Sequence, residues 1–226
     1  MQRALRARSC AKRTLREAAQ TRMGDAMNRW LALLVLAIVL YGGWSWLHTR
    51  PIHRPDGVMA PDDPAQTDFD APQPEIAFKD ATLHPLAKFM VTARVLSRDD
   101  YRFDAESDIS PMDLALGWGR MSDSAVLHSI EIGQGGRFYE WQVREFPIPR
   151  REIETHSANM HMIPADASVE RALKRVRVGD VVTLDGYLVE ADKPGGWKWR
   201  SSLTRQDTGA GACELVYVRS LSVAAR

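Results

Sequence analysis

The sequence predicts a mainly β protein with a single N-terminal transmembrane helix, a disordered linker and a small β-barrel-like domain that contains one short helix. Three observations support this prediction. Residues 30–47 form an apolar run without a charged side chain, and residues 48–85 are rich in proline and acidic residues. Residues 86–226 contain several segments in which apolar and polar side chains alternate, as they do in half-buried strands.

The run from Trp30 to Leu47 is long enough to cross a membrane. Its eighteen residues would make about 27 Å of helix, close to the ~30 Å thickness of a hydrocarbon core. Trp30, Tyr41, Trp44 and Trp46 lie towards its ends, which is typical of side chains at the headgroup region. A cleaved signal peptide is the alternative, but large side chains follow the run where cleavage requires small ones. We therefore expect a retained membrane anchor.

Residues 1–29 form a basic arm. Eight Lys and Arg but only two acidic residues precede the apolar run, so the positive-inside rule predicts a cytoplasmic N-terminus. Met27 is an alternative start with the same predicted orientation, because Arg29 would still precede the run. We expect a protein of the inner (cytoplasmic) membrane whose C-terminal domain is periplasmic or otherwise extracytoplasmic.

Residues 48–85 are predicted to be a disordered linker. Seven of the twelve prolines lie between Pro51 and Pro85, interspersed with aspartate and glutamate. Such a composition buries little apolar surface, and a proline-rich chain extends by up to ~3.1 Å per residue. The linker would either give the exported domain reach or only separate two folding units.

The whole-chain net charge of +1 averages two different regions. From Pro51 onward, 21 Lys and Arg face 27 Asp and Glu, which is a net charge of −6. Nucleic-acid binding depends on neutralising phosphates, so we expect no nucleic-acid partner. Cys10 and Cys213 lie on opposite sides of the predicted membrane and cannot form a disulfide with each other. No cofactor is predicted.

The exported domain begins with a strand over residues 88–96, where Phe89, Val91, Ala93 and Val95 share one face. Further along, the pattern predicts a helical turn at 111–116, strands at 126–132 and 137–143, a helix at 167–176 capped by Asp166, and strands at 181–190, 197–203 and 214–221. Gly186 inside a strand indicates a bulge or a sharp bend. Three strands, a helix and two or three strands is an order compatible with a small barrel of the OB type.

Two histidines and two methionines lie close together between residues 156 and 162. Imidazole and thioether groups are ligands that copper(I) prefers, which makes His156, Met160 and His161 candidate metal ligands. Five-residue spacing, however, places His156 and His161 on opposite faces of a strand. The alternative is that the methionine lines a core or pocket and the histidines bond to neighbouring backbone.

Residues 207–210, with the sequence Asp-Thr-Gly-Ala, resemble the short signature around the catalytic aspartate of aspartic proteases. That resemblance implies that Asp207 shares a proton with a second aspartate. The chain contains no second copy, and Thr204 to Gln206 stand where those proteases carry an apolar strand. A polar turn between strands is the competing interpretation.

A tethered hydrolase is the enzyme hypothesis for this sequence. It would combine His156 or His161 with Ser202, Asp207 or Cys213 as nucleophile or acid. No strand-turn-helix elbow surrounds the serine, and a lone cysteine is commonly a small buried apolar residue. Convergence of these side chains in one concave pocket would favour an enzyme.

Aromatic and arginine side chains indicate a binding surface instead. The candidate binding residues are Trp118, Tyr139, Trp141, Trp197, Trp199, Arg200 and Arg205. OB-type barrels bind oligosaccharides or oligonucleotides on such a face, and the acidic charge disfavours the latter. We expect a domain that binds or scaffolds an envelope protein or glycan, with a hydrolase and a metal carrier as the alternatives.

Overall fold

The computed structural model describes residues 30–31, 33–43, 50–209 and 211–225, and the chain divides into two compact units, Met1–Arg50 and Pro51–Arg226. In the first unit, the described residues 30–31 and 33–43 form helix α1, whose described large apolar side chains are each at least 53% exposed. Within the described residues, no helix is both long and apolar enough to cross a membrane. The predicted basic arm, its alternative start and residues 44–47 of the predicted span lie outside the described residues.

The second unit is mainly β, as the sequence predicts. Its strands are β1 (Ala65–Thr67), β2 (Ile76–Phe78), β3 (Ala81–Asp100), β4 (Met112–Gly117), β5 (Ile130–Gly135), β6 (Phe138–Val143), β7 (Ser157–Pro164), β8 (Val181–Asp192), β9 (Lys198–Arg200) and β10 (Glu214–Val223). Its helical segments are the 3₁₀ helix Gly119–Ser122, α2 (Ser124–Leu127), α3 (Arg150–Thr155) and α4 (Ala167–Leu173).

Five of the strands pair in a closed ring, in the order β3, β4, β7, β10, β8 and back to β3. β7 and β10 run parallel, and the other four pairs in the ring are antiparallel. β3 is twenty residues long and pairs with two strands of the ring along different parts of its length. Residues 94–100 pair with β4, and residues 82–94 pair with β8. In chain order, helix α4 lies between β7 and β8, the third and the fourth of these five strands.

The interior of the ring is filled by the apolar faces of its strands. The predicted inward face of the first strand is confirmed, because Phe89, Val91, Ala93 and Val95 are all buried in the main core. Helix α4 is confirmed as well. The side chain of Asp166 accepts hydrogen bonds from the backbone N–H groups of residues 168 and 169, and the helix buries Val169 and Leu173 against the same core.

Two strands of the ring were not predicted, and their burial explains why. All six residues of β4 are buried, so the segment lacks alternating polarity, and its predicted helical turn at 111–116 is wrong. β7 is buried along most of its length in the same way. The strand predicted at 137–143 is observed as β6, whereas the strand predicted at 126–132 covers the end of α2 and the start of β5. β5 and β6 form a separate two-stranded sheet outside the ring.

The disordered linker predicted for residues 48–85 is wrong from Pro51 onward. The backbone N–H of Ile52 donates to the carbonyl of Val178 at 2.7 Å, and Ala60 is fully buried where its carbonyl accepts from Gly119. β1 and β2 then pair with β3. Prolines are tolerated in such edge segments because only one side of the backbone is bonded, and composition cannot reveal these long-range contacts.

Gly186 marks a close backbone approach, as its position inside a strand indicates. A β-carbon at this residue would lie 2.0 Å from the carbonyl oxygen of Tyr217 on β10. The pairing of β8 with β10 shifts register between Val218 and Ser220, so the bulge lies in the partner strand opposite the glycine. Absence of a side chain lets β10 bend across β8 there.

Candidate functional site

A concavity with a volume of about 680 Å³, which we call the main cleft, lies at one end of the strand ring. It lies between strand β6, the first residues of β7 and the loop that leads into β10. Its aromatic side chains, which form one wall, come from β6 and the segment after it, and its charged groups come from β6, α3, the loop and the start of β10. The lining includes Tyr139, Trp141, Phe146, Arg150, Arg205 and Glu214.

Arg137 fixes the hairpin that forms this wall. The residue lies in the two-residue hairpin turn with a φ of 71°, a left-handed conformation that costs free energy for a side chain other than glycine. Its guanidinium donates to both carboxylate oxygens of Asp104, at 2.8 and 2.9 Å, and to Oδ1 of Asp113 at 3.0 Å. It also packs 3.7 Å from the ring centre of Tyr101. These contacts join the hairpin tip to the barrel.

Asp113 links Arg137 to two further buried side chains. Its carboxylate is fully buried on β4, and Nδ1 of His161 on the neighbouring β7 lies 2.9 Å from Oδ1. That nitrogen is not aligned for a hydrogen bond, since His161 Nδ1 has no hydrogen-bond partner. The amide of Asn159 donates to the carbonyl of Arg137 at 3.1 Å and accepts from Gln134 at 2.7 Å. The hairpin is therefore held at both its tip and its first strand.

Arg205 and Glu214 form the charged floor of the main cleft. Glu214 is 1% exposed and begins β10 on the same strand face as Val216, a core residue. Nε of Arg205 lies 2.7 Å from Oε1 of Glu214, yet this N–H is not directed at the oxygen. Burial raises the pKa of Glu214 to about 8, although Arg205 opposes that shift. Arg205 Nη2 and Glu214 Oε2 are both buried without a hydrogen-bond partner.

A smaller hollow of about 320 Å³ lies on the other side of Phe138 and Cys213, which line both concavities. It contains His161, Trp197 and Trp199, and the rings of His161 and Trp199 are 4.5 Å apart. Burial raises the pKa of the Cys213 thiol to about 11. The thiol is therefore neutral near pH 7 and a poor nucleophile.

The predicted binding residues divide among three places. Trp118 is 1% exposed and belongs to the barrel core, so its assignment as a binding residue is wrong. Of the others, one group lines the main cleft and a second lines the smaller hollow. The first group is Tyr139, Trp141 and Arg205, and the second is Trp197, Trp199 and Arg200. Both aromatic pairs are half-buried.

The candidate catalytic side chains converge only in part. His161 and Cys213 line the smaller hollow, and Asp207 and Cys213 line the main cleft. His156 follows α3, where its ring contacts the carbonyl of Glu152 and the Thr155 hydroxyl. His161 lies five residues along the chain, roughly 16 Å further at the rise of a strand. Ser202 donates to Asp207 at 2.7 Å without a histidine among its hydrogen-bond partners in the described chain.

Asp207 lies in an exposed loop, as the polar-turn interpretation predicts, and its described hydrogen-bond partner is the Ser202 hydroxyl rather than a second aspartate. The last residue of the four-residue protease signature, position 210, lies outside the described residues.

The candidate copper ligands are likewise separated. Met160 is fully buried in the main core, on the strand face opposite to that of His161. His156 faces Asp63 at 3.7 Å, away from both. Across the described residues, no group of three or more His, Cys, Asp or Glu side chains is placed to hold a metal ion.

Two functional candidates, Asp113 and Glu214, were missed from the sequence. Both carried a signal, because they are acidic residues within otherwise apolar strand segments. A charge in a buried segment requires a partner or a shifted pKa.

Comparison with protein-family models, with curated proteins and with solved structures finds no match for this chain.

Proposed function

We propose that this protein is a single-pass membrane protein whose β-rich domain lies outside the cytoplasm and binds an envelope component in the main cleft. The single observation that carries the binding proposal is the cleft itself. It combines an aromatic wall with buried charged groups whose hydrogen-bonding capacity is unused. Concave sites that join apolar walls to a few polar groups are typical of ligand binding.

The anchor is supported by charge and by exposed apolar surface. The run from Trp30 to Leu47 is uncharged and follows a strongly basic segment. The large apolar side chains described in α1 are exposed to an extent that a water-soluble helix avoids. A bilayer around the helix would remove that surface from water.

We infer further that the domain is a barrel of the OB type. An OB-type barrel has five strands, with a helix between the third and the fourth strand in chain order. The ring of β3, β4, β7, β8 and β10, with α4 between β7 and β8, has these parts. OB-type barrels bind ligands on the face of their second and third strands and beside the loop between the fourth and fifth. The main cleft is lined by residues 157–159 of the third strand and by residues 204–205, 207–209 and 212–213 of that loop. This support is an analogy of architecture.

The alternatives have less support. A tethered hydrolase would need His156 or His161 beside Ser202, Asp207 or Cys213. His161 and Cys213 do line one hollow, but burial raises the pKa of that thiol to about 11 and keeps it neutral, and Ser202 is bonded to Asp207 rather than to a histidine. A copper carrier would need Met160 and the histidines to share a site, and they are separated.

Topology is tested by reporter fusions in cells. A periplasm-dependent reporter fused after Arg226 should be active, and the same reporter fused at the N-terminus should be inactive. The reverse pattern would show that the β-rich domain lies in the cytoplasm and would contradict the proposed location.

Binding is tested without knowing the ligand. A photo-crosslinking amino acid replaces Glu140, which is exposed in the main cleft, and in a matched variant it replaces Phe103, which is 98% exposed outside the cleft. Irradiation of intact cells should give an envelope adduct at position 140 that is absent at position 103. Identical adducts at both positions, or none at position 140, would contradict binding in the cleft.

A further inference from the structure

We propose that the main cleft binds a neutral glycan, with two neighbouring sugar hydroxyls held between Arg205 and Glu214 and a sugar ring packed on the aromatic wall of β6. This inference rests on the proposed binding function and specifies its ligand. It starts from the buried polar atoms of this pair that have no hydrogen-bond partner, among them Nη2 of Arg205 and Oε2 of Glu214. Buried polar groups are rarely left unsatisfied, so both atoms indicate a missing partner.

Arg205 and Glu214 lie at the buried bottom of the main cleft and do not form a surface ion pair. Glu214 shares its strand face with Val216 inside the barrel, and the guanidinium of Arg205 lies 5.5 Å from the ring centre of Phe89, another core residue. The same two side chains line the main cleft. The pair therefore closes one end of the apolar interior and meets whatever enters the cleft.

The polar atoms offer one donor and one acceptor in close proximity. Nη2 of Arg205 can only donate, whereas the ionised carboxylate of Glu214 can only accept. A hydroxyl group does both, and two hydroxyls on adjacent ring carbons would satisfy the two atoms together. In the free protein burial favours the protonated carboxyl, which a ligand hydroxyl also satisfies because it accepts as readily as it donates.

The charge of the cleft disfavours ionic ligands. Four carboxyl groups and two guanidinium groups line it, namely Glu140, Glu154, Asp207 and Glu214 with Arg150 and Arg205. An anionic ligand would meet the excess of carboxylates. A cationic side chain could pair with the carboxylates, but it carries only donors and offers no acceptor to Nη2 of Arg205. A neutral polyhydroxylated ligand avoids both costs.

The aromatic wall supplies the second half of a sugar site. Tyr139 and Trp141 share one face of β6, and the rings of Trp141 and Phe146 meet edge to face at 6.2 Å. Phe138 and Phe146 are more than half exposed in the same cleft. Aromatic faces pack against apolar C–H surface while leaving hydroxyls free to bond. The cleft volume of about 680 Å³ is in the range of small-ligand sites.

The test uses the full-length protein in nanodiscs and probes of equal length. Maltotriose, cellotriose and tri-N-acetylchitotriose are the neutral probes, and trigalacturonic acid and trilysine are the anionic and cationic counterparts. Isothermal titration should show binding of at least one neutral trisaccharide, with both charged probes at least about 10-fold weaker.

Variants locate the bound sugar. Arg205→Met and Glu214→Met should each weaken the neutral trisaccharide by at least ~10-fold, the usual effect of losing a hydrogen bond to a charged group. Trp141→Ala should weaken it similarly. Trp141 is partly exposed on the hairpin, outside the strand ring, so this variant carries the test if either floor variant fails to fold. Arg219→Met, an exposed arginine outside the cleft, is the matched control and should bind as the wild type.

Two results would overturn the inference. The first is that trilysine or trigalacturonic acid binds more tightly than every neutral probe and that Trp141→Ala weakens this binding. In that case the cleft binds a ligand, but one of a different chemical class. The other is absence of neutral-sugar binding, or sugar binding that all three cleft variants leave unchanged. The crosslink at position 140 is independent of the probes, so it separates a wrong ligand class from a cleft that binds nothing.

Discussion

Nη1 of Arg137 lies 3.0 Å from Oδ1 of Asp113, so the tip of the β5–β6 hairpin is ion-paired to the second strand of the barrel ring. The arginine side chain is 13% exposed and the aspartate is fully buried. One wall of the main cleft is thus held by a contact between residues 24 positions apart. The geometry of the cleft depends on this pair.

Arg137→Ala should lower the free energy of unfolding by about 3–5 kcal/mol, because it leaves the buried carboxylate of Asp113 without its charged partner. Urea denaturation of the full-length protein measures the loss. Arg144→Ala, an exposed arginine just after β6, is the matched control and should change stability by less than about 0.5 kcal/mol. Equal effects of the two substitutions would show that the Arg137 ion pairs contribute nothing.

Glu214 should give the protein a pH-dependent stability. Its pKa is about 8 in the folded protein against 4.5 as the ordinary value, so the folded state binds the extra proton between these pH values. Stability should therefore fall as pH rises from about 4.5 to 8, by at most ~1.4 kcal/mol per pH unit, and then level off. Arg205 and Asp207 are the charged groups that act on this carboxyl.

The comparison with variants isolates that slope. Glu214→Gln should remove it, whereas Glu190→Gln should leave it unchanged, since hydrogen bonds from Arg200 lower the pKa of Glu190 below this window. Chemical denaturation at several pH values is the measurement. A slope that persists in Glu214→Gln would assign it to other groups.

Trp118 should behave as a core residue and not as a ligand contact. Trp118→Ala should cost about 3–5 kcal/mol of stability because it leaves a cavity in the barrel. Trp141→Ala, which removes a half-exposed ring from the cleft wall, should cost clearly less. Thermal unfolding of the two variants compares them directly, and similar losses would contradict the core assignment.

Gly186→Ala should destabilise the barrel, because the new methyl group would lie 2.0 Å from the carbonyl oxygen of Tyr217. Overpacking of this kind costs about 3 kcal/mol, since backbone must shift. Gly135→Ala on β5 is the control, as a β-carbon there meets no atom within 4 Å. Circular dichroism melting curves should separate the two, and a Gly186→Ala protein as stable as Gly135→Ala would refute the close approach.

Cys213 should react slowly with alkylating reagents in the native protein. Its pKa of about 11, against an ordinary value of 9.0, reduces the thiolate fraction near neutral pH roughly 100-fold. The measurement is iodoacetamide labelling in a Cys10→Ser background, with the denatured chain as the reference. Native labelling as fast as denatured labelling would revive Cys213 as a nucleophile.

Local patterns predicted the elements that are half-buried or capped. The alternation around Phe89, the capped helix after Asp166 and the strand around Gly186 all depend on neighbours in sequence, and all are observed. β4 and β7 were missed because burial on both faces removes the alternation. The sequence therefore predicted the right number of ring strands before and after the helix. Two of the three ring strands before the helix, β4 and β7, are however different segments from those predicted.

The candidate site was predicted in part for the same reason. Tyr139, Trp141 and Arg205 were singled out by residue type, and they do line one cleft. Nothing in the sequence indicated that Arg205 would meet Glu214, or that Trp118 would be enclosed by the core. These outcomes depend on which strands pair.

By itself, the sequence determined the mainly β class, the apolar run from Trp30 to Leu47, the acidic charge of the region after Pro51 and the start of helix α4, because each follows from local composition or periodicity. The tertiary structure decided the rest: that residues 51–85 belong to the folded unit, that Arg137 anchors the hairpin, and that Arg205 and Glu214 form the floor of a cleft. Those features arise from contacts between distant segments, whose free energy depends on strand pairing and burial rather than on neighbouring residues.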